Sequence, residues 1–94
     1  MDLIKQLGGY EKAKVILQAV GHEHDAMLLE HRRANNIFEV GDKVVGKEDH
    51  KLVKTVILIS NGLARLKCLQ FDHVYPLFNF RHATDAEIAA GHRL

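Results

Sequence analysis

The sequence is short of the residues that usually announce a chemistry. It has one cysteine, Cys68, so no internal disulfide can form, which fits a reducing compartment. It has one proline, Pro76, no tryptophan, and no linker, repeat or low-complexity stretch. Neither sign of charge is in excess: 13 basic against 12 acidic residues leave a net +1. That balance argues against a dedicated nucleic-acid coat and against strong attraction to anionic lipid, while leaving room for a local basic patch. The longest apolar run, 56–59, is far too short to span a bilayer. The opening MDLIKQLGG lacks the basic-then-apolar layout of a secretory signal, so a cytoplasmic location is expected.

What is present reads as one globular α+β domain over residues 1–94. Apolar residues make up 47% and charged residues 27%, an ordinary globular composition. Residues 1–36 read as mainly helical. Leu3, Leu7, Tyr10 and Leu17 recur at helical spacing, Gly8-Gly9 breaks or restarts the helix, and Gly21 stops it. Residues 24–34 suit either of two elements: propensity leans to a second helix, with Asp25 as its cap and Asn35-Asn36 as its end, while Met27, Leu28 and Leu29 as the only strongly apolar residues also suit a short strand.

From Ile37 the period changes to that of an antiparallel sheet running to Arg81. In IFEVGDKVVG, Phe38, Val40 and Val44 share one face, with a bend at Gly41-Asp42. KEDHK reads as a charged turn and LVKTVILIS as a β-branched strand. Asn61-Gly62 is a hairpin signal, because both residues tolerate positive φ. LARLKCLQF then puts Leu66 and Cys68 on one face and Arg65 and Lys67 on the other. FDH reads as a further turn, and VYPLFNF as a final strand that Pro76 marks as an edge. A short helix over 84–91 closes the chain. Thr84 and Glu87 have the spacing of a capping box, and Gly91 is the expected stop. Two turns of helix are not stable alone, so this one should dock on the sheet through Ile88 and Leu94.

The ending RHATDAEIAAGHRL resembles the close of many small accessory proteins of tailed bacteriophages and prophages, at Arg81, Ala83, Thr84, Glu87, Ile88, Gly91 and Arg93. The opening LGGYEKAKVIL is similar to the start of such proteins. The stretch FEVGDKVV resembles the first strand of SH3-like or KOW-like barrels, which makes the expected sheet a small SH3-like sheet or barrel. The phage resemblance implies expression in a bacterial host cytoplasm, and a role in engaging and inhibiting a host protein or defence complex such as a nuclease or immunity machinery.

No catalytic constellation or cofactor fingerprint stands out, so no enzyme, cofactor or metal is expected. His22, His24, Asp25 and His31 lack the convergent spacing of a zinc site. Cys68, Asp72 and His73 supply the residue types of a nucleophilic site, but Cys68 falls in an alternating strand as a small inward hydrophobe. Two binding readings remain. A protein partner would meet Tyr75, Leu77 and Phe78, since aromatics commonly anchor interfaces. A nucleic acid would meet His31, Arg32 and Arg33, or Arg65 and Lys67 on the sheet. The N-terminal half has the outline of a degenerate helix-turn-helix, but its candidate recognition helix would lead with Glu23 and Asp25.

Overall fold

The computed structural model describes residues 3–94. The chain forms two compact units, one ending at Ile37 and the other running from Phe38 to Leu94.

The first unit is three helices: α1 (Leu3–Gln6), α2 (Tyr10–Ala19) and α3 (Asp25–Asn35). The break between α1 and α2 falls at Gly8-Gly9, whose φ values of +98° and +101° side chains rarely adopt. Ile4, Tyr10, Ala13, Leu17 and Leu28 are buried together, with Leu7, Met27 and Ile37 packed around them. Burying each large side chain in such a cluster contributes about 1.5–3 kcal/mol. Between helix and short strand, the segment takes the helix that its propensity favours, over Asp25–Asn35. Its end is also as expected, with Asn36 left-handed at φ +54°. Its start corrects the sequence reading. Asp25 is the first helical residue rather than the cap, because its carboxylate turns sideways to Gln18 (3.1 Å) and His22 (3.0 Å).

The second unit is a five-stranded antiparallel sheet in the order β4-β3-β2-β1-β5, followed by one short helix. The strands are β1 (Lys43–Gly46), β2 (Lys54–Ser60), β3 (Leu63–Cys68), β4 (Phe71–Pro76) and β5 (Phe80–His82). The helix is α4 (Asp85–Ala90). This is the α+β layout the sequence predicts. Its core is Val44, Val56, Ala64, Leu66 and Phe80, with Phe38, Ile59, Tyr75 and Leu77 packed against it. The β2–β3 hairpin turns at Asn61 (φ +51°) and Gly62 (φ +77°), as the Asn-Gly pair demands. A register shift between Val56 and Leu58 bulges β2, and such bulges bend a strand and increase its twist.

Three local expectations are corrected. Residues 37–40 are not strand, since the Asp42 carboxylate accepts from the Glu39 N–H and folds the chain into a turn. Phe38 accordingly stacks on His82 at 4.6 Å, while Val40 is exposed. FDH is not a turn but the start of β4; the turn lies at Leu69-Gln70, where Leu69 takes φ +57°. VYPLFNF is not one strand either. Pro76 ends β4, Leu77–Asn79 makes one turn of 3-10 helix, and Phe80 opens β5 on the opposite edge of the sheet. The apolar residues of VYPLFNF thus belong to two strand ends and a corner.

Candidate functional site

The loop between β1 and β2 is held from several directions. Gly46 leads into it, and its N–H donates to the His50 carbonyl at 3.0 Å, closing a tight backbone ring. A Cβ on Gly46 would collide with the Asp49 carbonyl, so only glycine fits there. The Lys47 N–H donates to Asn79 in the 3-10 turn at 2.9 Å. The Arg93 guanidinium donates to the carbonyls of both Gly46 (2.9 Å) and Glu48 (2.8 Å). The segment after α4 also pairs with the loop through its backbone. Arg93 N–H donates to Lys51 O, Val53 N–H donates to Gly91 O at 3.0 Å, and Leu52 and His92 form a bridge.

This loop and the 3-10 turn enclose a cleft of about 320 Å³, lined by Lys47, Glu48, Asp49, His50, Phe78 and Asn79. Phe78 is 74% exposed at its edge. His50 adopts φ +59°, unusual for a residue with a side chain. Its ring is held edge-on to Tyr75 at 4.8 Å and stacked on Phe80 at 5.6 Å. Lys54 Nζ lies 5.8 Å above the Tyr75 ring, within cation–π range. The side chains of Lys47, Glu48 and Asp49 make no ion pair or hydrogen bond among the described residues.

The segment that reaches this loop is anchored at α4. Thr84 Oγ1 accepts from the Glu87 N–H at 3.1 Å, and Glu87 Oε1 accepts from the Thr84 N–H at 3.0 Å, so the capping box forms as expected. Gly91 stops the helix in the left-handed region at φ +81°. The docking differs from the expectation. Ile88 is 38% exposed and Leu94 73%, whereas Glu87 is buried to 2%. Both oxygens of Glu87 meet the Arg81 guanidinium, each at 2.8 Å, and Oε2 also accepts from the Leu94 N–H at 3.0 Å. The helix is thus fastened by a buried carboxylate rather than by apolar residues. The Arg81 guanidinium first, and then the backbone N–H groups, hold that carboxyl well below the usual glutamate range against the opposing effect of burial.

Of Tyr75, Leu77 and Phe78, the residues expected to meet a protein partner, only Phe78 lines the cleft. Tyr75 and Leu77 are half-buried against the sheet core, and Phe78 alone stands out. The basic residues are divided between the two units. In the first, His31 stacks on Tyr10 at 5.6 Å, Arg32 donates to the Tyr10 hydroxyl at 2.8 Å, and all of His31, Arg32 and Arg33 are half-buried. In the second, Arg65 and Lys67 lie on the outer sheet face as expected, but Arg65 is committed to Asp72 at 2.6 Å. Asp72 therefore faces Arg65, and Cys68 pairs across the ladder with Phe71. His50, Lys54 and Arg93 escaped the sequence reading as site residues. KEDHK looked like a charged turn, and nothing in its composition signals that an exposed histidine ring lies against Tyr75 and Phe80.

No described helix is long and apolar enough to cross a membrane. Among the described residues no group of three His, Cys, Asp or Glu side chains is placed to hold a metal ion. No family model matches the chain, and neither a curated protein nor a solved structure matches it.

Proposed function

We propose that the chain is a non-enzymatic binding protein that engages a protein partner through Phe78 and the β1–β2 loop. One observation carries this reading: the loop backbone is fixed at Gly46, Lys47, Glu48 and Lys51, while the side chains of Lys47, Glu48 and Asp49 stay uncommitted beside an exposed phenyl ring. A surface ordered in advance avoids the entropy of ordering on contact. An aromatic at the centre of such a surface is the usual energetic anchor. The basic cluster at residues 31–33 favours nucleic acid less, because its side chains are half-buried and two of them are engaged with Tyr10.

The resemblance of the final stretch to phage accessory proteins supports a bacterial host protein as the partner, a cytoplasmic setting, and inhibition of a nuclease or immunity complex as the outcome. The test is affinity capture from a bacterial lysate with mass spectrometry, followed by direct titration of the captured protein. Wild type is compared with Phe78→Ala and with Arg65→Ala/Lys67→Ala. The proposal expects one protein partner, with Phe78→Ala weakening it by roughly 10-fold or more. If wild type retains only nucleic acid, and only the Arg65/Lys67 variant loses it, the proposal fails.

A further inference from the structure

We propose that residues 91–94 act as a clasp on the β1–β2 loop, with Arg93 as the positioning residue that sets the shape of the cleft. This rests on the binding reading above and adds to it the element that controls the site. Three separate contacts make the clasp. One guanidinium takes two loop carbonyls, those of Gly46 and Glu48, two residues apart. A short backbone ladder runs alongside through Gly91, His92 and Arg93 to Lys51, Leu52 and Val53. The far end is fixed by Leu94 on the buried Glu87 carboxylate.

The clasp is needed because the loop is not in a relaxed conformation. His50 sits at φ +59°, a conformation that persists only where its surroundings over-determine it. Gly46 is pressed against the Asp49 carbonyl. Residues 47–50 supply four of the six side chains lining the cleft, and among the described residues no hydrogen bond or ion pair joins the clasp to those side chains. Arg93 therefore acts on the cleft only through the backbone it holds. The base of the clasp resists acid, since Glu87 stays ionised well below the pH at which ordinary glutamates take up a proton.

The experiment compares Arg93→Ala and Arg93→Lys with wild type by amide hydrogen exchange and by the ring proton shifts of His50, Tyr75 and Phe78. In Arg93→Ala the amides of Gly46, Lys47 and Val53 should exchange about 10-fold faster or more, while those of the β2–β3 hairpin hold their rates. The His50 and Tyr75 ring shifts should move toward unstacked values. Arg93→Lys, which keeps a cation but loses the fork geometry, should recover part of the protection. Unchanged exchange at the loop in Arg93→Ala overturns the clasp. Equal acceleration across the whole sheet overturns it too, by making Arg93 a general fold residue. Binding separates the two proposals. A partner still bound at full affinity by Arg93→Ala with a loosened loop overturns control by the clasp, whereas a partner still bound by Phe78→Ala overturns the site itself.

Discussion

Replacing Glu87 by glutamine tests the fastening of the final helix most directly. The carboxylate accepts four N–H donors on two oxygens: Arg81 Nη1 and Thr84 N on one, Arg81 Nη2 and Leu94 N on the other. Glutamine keeps one acceptor oxygen and turns an NH2 toward the other two donors. Two hydrogen bonds are lost, one from the Arg81 guanidinium and one from a backbone N–H, both charge-assisted by the carboxylate, and Arg81 loses its counter-charge. Breaking one side of a buried pair costs about 3–5 kcal/mol. The Arg81 side chain is about one-third exposed, so water recovers part of that. The expected loss is about 3 kcal/mol. At about 4–8 °C per kcal/mol for a domain of this size, the midpoint should fall by roughly 12 °C or more. The pH dependence carries its own sign. Folding lowers the Glu87 pKa below its ordinary value of 4.5, so the ionised group contributes its full stability above that pH and loses it progressively as pH falls toward the depressed folded value. Calorimetry of wild type and Glu87→Gln from neutral pH downward should show a gap that is constant above the ordinary glutamate range and narrows below it. A neutral-pH gap under about 3 °C, or one that does not narrow in acid, would refute the reasoning.

Other substitutions probe other links. Gly46→Ala should cost about 1–3 kcal/mol in chemical denaturation, because the new methyl meets the Asp49 backbone rather than a flexible side chain. Wild-type stability there would mean the loop moves freely. Tyr10→Phe should destabilise the helical unit by about 1 kcal/mol, losing the bond from Arg32 to the hydroxyl while keeping the ring in the core; far-ultraviolet circular dichroism against urea reads it. Phe78→Ala, at an exposed corner, should change stability by less than about 0.5 kcal/mol, so a lost partner in that variant reports on contact and not on folding.

The elements legible in the sequence are those whose cause is local. Gly8-Gly9 breaks the helix because of its own backbone, Asn61-Gly62 turns the hairpin because both residues accept positive φ, and Thr84 with Glu87 closes a box three residues wide. The misreadings share an opposite cause. VYPLFNF looks like one strand until Phe80 is drawn to the far edge beside Gly46, which only the sheet order decides. Ile88 looks like a docking residue until Glu87 is seen to meet Arg81 and Leu94 at once. For the site, Tyr75, Leu77 and Phe78 were legible as an apolar excess around a proline. Their neighbour His50 was not, because its place depends on a loop closed by a residue 43 positions further on, Arg93.

The buried carboxylate has a consequence for which residues this chain can exchange. Arg81, Thr84, Glu87, Gly91 and Arg93 are each occupied in closing the second unit. Ala83 is buried beneath them. An ending of this kind is a recipe for finishing a small sheet, written around one buried carboxylate. The side chains of Lys47, Glu48 and Asp49 stand outside that closure, so they can be exchanged without undoing it, whereas a change at Glu87 or Arg93 reaches it at once.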